Sequence, residues 1–134
     1  MAYLFDTDTL SAVLRPRPDL GVARRLATVA PEEQFTSAIT LDELLFGALR
    51  KRRYDLLARI QSIADAVPVL PFHEAAARKY AEVRTALEQS GTPLAEPDLR
   101  IAAIALTFDL VLVTGNERHF RRVPGLAVEN WLGS

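Results

Sequence analysis

Residues 3–14 read Tyr3-Leu4-Phe5-Asp6-Thr7-Asp8-Thr9-Leu10-Ser11-Ala12-Val13-Leu14. Three apolar residues break at once into alternating acids and threonines, the pattern of a short buried strand giving way to a helix start. Leu10, Val13 and Leu14 then supply one helical face. Far downstream, Leu110 to Thr114 is the clearest buried strand, and it too runs into polar residues, Thr114, Asn116 and Glu117. Strands of this kind alternate with helices along the chain, which predicts an α/β fold: a central, mostly parallel sheet flanked by helices on both faces.

The segments between follow the same logic. Pro16 and Pro18 end the first helix, and a second is expected over Asp19–Val29. Gln34–Ser37 reads as a short strand. Leu41, Leu44, Leu45, Ala48 and Leu49 form one helical stripe, continued after Arg53 by Leu56, Leu57, Ile60 and Ile63, so two packed helices are expected. Val67–Leu70 is extended, and Pro68 assigns it to an edge or a strand end. A long helix over His73–Gln89 stops at Ser90-Gly91. Pro93–Pro97 reads as a loop, Asp98 opens an apolar helix over Leu99–Phe108, and Leu126–Glu129 reads as a last strand.

The chain has 134 residues, 49% of them hydrophobic and 25% charged, with no cysteine. This is ordinary globular composition for one domain over residues 1–134, and it excludes disulfide scaffolds and thiolate chemistry. No apolar run approaches the roughly 20 residues that cross a bilayer. The start, MAYLFDTD, lacks a basic leader region, so a cytoplasmic protein is expected. Net charge is −1, but all of the 16 basic residues except Lys51 and Lys79 are arginine, and they cluster.

In an open parallel sheet, ligands lie beyond the carboxyl ends of the strands. The polar residues expected there are Asp6 and Asp8, Glu43, Asp98, and Thr114, Asn116 and Glu117. Each has a local explanation. Glu43 lies three residues after Thr40, as in a capping box; Asp98 and Asp8 are placed to cap helices; Asn116 suits a turn. Convergence is what would give them chemistry. Three carboxylates at 4 Å repel by about 4 kcal/mol per pair at an effective dielectric near 20, so such a set needs a cation or bound protons. Oxygen ligands without histidine or thiolate favour Mg²⁺ or Mn²⁺, and with them phosphoryl chemistry.

Four stretches, LFDTDTLS, TSAITLDELLFGALR, VLPFHEAAARKYAEVRTALEQSGTPLAEPDLRIAAIAL and LVLVTGNERHFRRVPGLAVENW, together resemble the PIN-domain ribonuclease toxins of the VapC type, in the family's order. The resemblance implies a PIN-like fold and a metal-dependent endoribonuclease leaving 5′-phosphate and 3′-hydroxyl ends. It implies Asp6, Glu43 and Asp98 as metal-holding acids, with Asn116 at a fourth position that the family fills with Asp or Asn. It also implies Thr7 and Thr114 as supporting polar groups, a homodimer, and a cognate VapB-type antitoxin whose arginine enters the acidic groove. Glu96 and Glu117 fall outside the matched positions and read as solvated.

Two basic groups flank these elements. Arg50-Lys51-Arg52-Arg53 ends the Glu43 helix, and Arg118, His119, Arg121 and Arg122 follow the Thr114 strand. Arg50, Arg52, Arg53, Arg118, Arg121 and Arg122 are candidate phosphate contacts, while cations also suit a helix C-terminus. Arg15 and Arg17 either meet RNA or solvate a loop, and His73 carries no expected chemistry. Two other readings compete. Asp6-Thr7-Asp8-Thr9 fits the D-x-D opening of the D-x-D-x-T start of haloacid-dehalogenase phosphatases, which also need a lysine beside the acids. Alternatively, the acids are only caps on a non-catalytic PIN-like interaction module.

Overall fold

The structure, a computed structural model, describes residues 1–133. Five strands, β1 (Tyr3–Phe5), β2 (Gln34–Ser37), β3 (Val69–Leu70), β4 (Val111–Val113) and β5 (Val128–Glu129), form one sheet in the order β3-β2-β1-β4-β5. Every pairing is parallel, so the sheet expected to be mostly parallel is wholly so. The crossovers carry α1 (Thr7–Leu14), α2 (Leu20–Thr28), α3 (Ala38–Arg50), α4 (Tyr54–Ala66), α5 (Glu74–Gln89), α6 (Glu96–Thr107) and α7 (Glu117–Phe120).

The two-residue alternation of β1 and β4 divides the core between the sheet's faces. Leu4 stands opposite Leu112 in the register, and Phe5 opposite Val113. Leu4 and Leu112 pack with Val83, Leu87, Ile101 and Ile104 of α5 and α6. Phe5 and Val113 pack with Leu10, Val22, Leu44, Ile60 and Trp131 on the other side. β1 and β4 are therefore apolar in continuous sequence, as strands covered on both faces are. Val69–Leu70 is an edge strand as Pro68 requires, and the Pro68 carbonyl accepts the Thr36 amide at 3.0 Å.

Several boundaries differ from the sequence reading, each for a local reason. Asp6, not Asp8, is the N-cap of α1, its carboxylate accepting the Thr7 amide at 2.7 Å. Ser37 caps α3 by accepting the Thr40 amide at 3.0 Å, so Thr40 and Glu43 form no capping box and Glu43 lies in the second turn. Helix α6 begins at Glu96 behind Ala95, because Pro97 sits comfortably in a first helical turn; Asp98 is thus inside the helix rather than its cap, and the loop is shorter than Pro93–Pro97. A 3-10 turn at Pro31–Glu33 and the short α7 carried no clear signal in the sequence.

Gly47 lies inside α3, where glycine is about 1 kcal/mol worse than alanine. A Cβ there would meet nothing within 4 Å.

Candidate active site

The carboxyl ends of β1, β2 and β4 set the site. β1 ends at Phe5, and Asp6 follows as the cap of α1, buried at 6% exposure. Its second carboxylate oxygen accepts the Thr114 hydroxyl at 2.8 Å, just past β4, and Thr114 Oγ1 in turn accepts the Asn116 amide at 3.0 Å. The Thr7 hydroxyl donates to Glu43 Oε1 at 2.7 Å, tying α1 to α3. Glu43 and the first turn of α6 line one cleft, with Asp42, Pro97 and Arg100. Asp98 lies in that first turn of α6, within electrostatic reach of Asp6 and Glu43.

Electrostatics report the same convergence. Burial raises the Asp6 carboxyl from 3.8 to about 6, with Asp8 and Asp98 adding to the rise against the Thr7 and Thr114 hydrogen bonds. The Asp98 carboxyl is also raised, first by desolvation and then by Glu43, with Asp8 a smaller contributor and His119 opposing. Four acids therefore share one field. Asp8, expected at this end of the sheet but read as a helix cap, belongs to the group instead: its Oδ2 accepts the Gly115 amide at 2.8 Å, while its buried Oδ1 has no partner. No local pattern could have paired Asp8 with a glycine beyond β4. His119 is exposed, as a surface residue should be, yet its charge reaches Asp98.

A hard divalent cation suits these donors in kind. They are all carboxylate oxygens, one is buried without a partner, and the raised acids are those that a cation would favour in their charged form. Among the described residues no three such side chains already stand at metal-holding spacing. The Asn116 side chain makes no cap bond at the start of α7.

The basic residues lie outside the acid set, and all six candidates are exposed. Arg53 is engaged by Asp55 at 3.0 and 2.9 Å, and Arg121 by Glu117 at 2.7 Å. Arg50 stacks over Phe46, and Arg50, Arg52, Arg118 and Arg122 form no ion pair among the described residues. Glu96 is exposed and paired with Arg100, whereas Glu117 is only half-exposed and also meets Asn130. The lysine that a phosphatase would need is not bonded to either Asp6 or Asp8: Lys79 pairs with Glu82, and Lys51 sits at the end of α3. His73 precedes α5 and stacks on Phe108.

Comparison with known proteins agrees with this architecture. The family model described as PIN domain matches residues 3–126. Ribonuclease VapC1 of Haemophilus influenzae (strain R2866) is 31% identical over 133 residues, 98% of each chain. The tRNA(fMet)-specific endonuclease VapC of Salmonella typhimurium is 30% identical over 132 residues, again 98% of each. In the crystal structure of VapBC2 from Rickettsia felis bound to a DNA fragment from their promoter, a chain superposes with a TM-score of 0.89 at 29% identity, covering 98% of this chain and 99% of that one. The fold is that of a PIN domain, and the chain belongs to that family. Within it, the full-length relatives place the chain among the VapC ribonucleases, RNA-cleaving hydrolases of toxin–antitoxin systems.

Proposed function

We propose that this chain, acting as one catalytic unit in the cytoplasm, is a divalent-metal-dependent endoribonuclease toxin. The observation that carries the proposal is the shared field of Asp6, Glu43 and Asp98 at the carboxyl end of the sheet, with hydroxyls already holding two of them. Asp6, Glu43 and Asp98 would hold Mg²⁺ or Mn²⁺. When bound, such an ion supplies Lewis-acid stabilisation of phosphodiester charge and a lowered pKa for water.

The chain's own groups do the positioning. Thr114 fixes the Asp6 carboxylate, and Thr7 fixes Glu43. The Asn116 side-chain amide is assigned to orienting the attacking water. That water's oxygen bonds to phosphorus as the bond to the 3′ oxygen breaks, leaving 5′-phosphate and 3′-hydroxyl ends. Arg50, Arg52, Arg53, Arg118, Arg121 and Arg122 are assigned to flanking phosphates.

A VapB-type antitoxin is the proposed partner, with an arginine paired to the acids. A homodimer is proposed as well. Phe46, Leu49 and Tyr54, exposed at 62%, 54% and 64%, give the α3–α4 end an apolar surface suited to protein contact.

The test is cleavage of RNA by antitoxin-free protein with and without EDTA, beside Asp98→Asn. Cleavage that survives EDTA, or that Asp98→Asn leaves intact, overturns the mechanism. Mn²⁺ titration of the unaltered chain, Asp6→Asn and Asp98→Asn separates an enzyme from a scaffold that kept only the fold, since a scaffold shows no binding for the substitutions to remove.

A further inference from the structure

We infer that the cleft between α1, α3 and α4 receives one unstacked base of the RNA strand beside the bond being cut, an inference that rests on the endoribonuclease reading above. The cleft has a volume of ≈290 Å³, near the lower end for small-ligand pockets, which run from about 300 Å³. It starts at Thr7 and Glu43, the pair joined by a 2.7 Å hydrogen bond. Whatever fills it therefore lies next to the acid cluster.

Its chemistry changes with distance from that end. The walls include the buried Leu44 and Ile60, an apolar surface for the flat face of a base. Ser11 adds a hydroxyl for a base edge, and Arg15 and Lys51 stand at the rim, exposed and without an ion pair among the described residues. Apolar walls, one hydroxyl and unpaired cations match an unstacked nucleotide, with its base inside and its phosphate outside. An apolar peptide would use the walls but leave the cations unanswered.

Gly47 is the second observation. It lines the cleft from inside α3, and a side chain there would enter open space. Glycine weakens this helix and no packing contact demands it. Its effect on the structure is to leave the cleft open.

That opening supplies the test. Gly47→Leu should project into the cleft, since a Cβ there meets nothing within 4 Å, while improving helix propensity, so thermal melting should occur at or above the unaltered temperature. The cut site is first mapped on a single-stranded RNA oligonucleotide, and KM is then measured on that RNA and on versions with an abasic ribose on either side of the cut. On intact RNA, Gly47→Leu should raise KM by about 10-fold, in the range of one lost base contact. On the version abasic at the seated position, the two proteins should have equal KM. An unchanged KM on intact RNA overturns the pocket, as does unchanged cleavage with lost affinity for an antitoxin peptide, which would make the cleft a protein groove. If the unaltered chain shows no metal-dependent cleavage, the nuclease reading itself falls and takes the pocket with it.

Discussion

The Gly115 amide donates to the Asp8 carboxylate at 2.8 Å, joining residues 107 positions apart across the top of β4 and α1. A Cβ on Gly115 would lie inside the Leu132 side chain and 2.6 Å from that same Asp8 oxygen. Gly115→Ala must therefore push Leu132 outward and displace Asp8 from its donor. The expected cost is about 1–3 kcal/mol of stability from overpacking, read by urea denaturation, together with weaker Mn²⁺ binding by calorimetry.

Asp6 should make metal-free stability depend on pH. Its folded pKa of about 6 lies above the ordinary 3.8, so the fold favours the neutral acid. That contribution is whole below pH 3.8 and lost as pH rises through 6, amounting to about 3 kcal/mol. Asp98 shifts in the same direction. In EDTA the protein should be more stable at pH 4.5 than at pH 7.5 as far as these acids govern it, and Mn²⁺ should raise stability selectively at pH 7.5. Equal urea midpoints at both pH values in EDTA would contradict this.

The same reasoning gives Asp6→Asn opposite effects on stability and activity. Removing a buried charge should raise metal-free stability at pH 7.5, while RNA cleavage, which needs that charge, should fall by several orders of magnitude. Thermal melting in EDTA and a cleavage assay on one preparation measure both.

Thr7→Val removes the hydroxyl bonded to Glu43 and nearly keeps the side chain's shape. Freed from its donor, Glu43 should hold a cation less well, lowering Mn²⁺ affinity by about 10–100-fold. Melting should move little, since Thr7 is only half-buried.

Arg118 is exposed and forms no ion pair among the described residues. If it meets a phosphate, Arg118→Gln should weaken binding of single-stranded RNA to the Asp98→Asn protein and reduce the log–log salt slope by about 0.7. An unchanged slope removes Arg118 from the interface.

Most of the fold was legible because a strand buried on both faces must be apolar in continuous sequence. Tyr3-Leu4-Phe5 and Val111-Leu112-Val113 are such runs, and Gln34–Ser37 was read with its observed bounds. The order β3-β2-β1-β4-β5 was not legible, since neighbours across a parallel sheet leave no local trace. Caps were the weakest reading. Thr40 and Asp98 are good capping types, but Ser37 and the tolerance of Pro97 in a first turn moved both helix starts upstream. For the site, residue type and the family pattern singled out Asp6, Glu43 and Asp98 with Thr7 and Thr114 as supporting groups, whereas which hydroxyl holds which acid depends on distant pairings. Thr114 reaches Asp6 across 108 positions, and Asp8 looked like a cap because its real partner is a backbone amide just beyond β4.

The pairing of β1 with β4 also bears on how the chain is made. Asp6 emerges from the ribosome first, but the strand that lets Thr114 hold it follows more than a hundred residues later. At about 5–20 residues per second of synthesis, the nascent chain spends seconds with its acids dispersed. The acid cluster proposed to act in catalysis is therefore assembled only when the chain is all but complete.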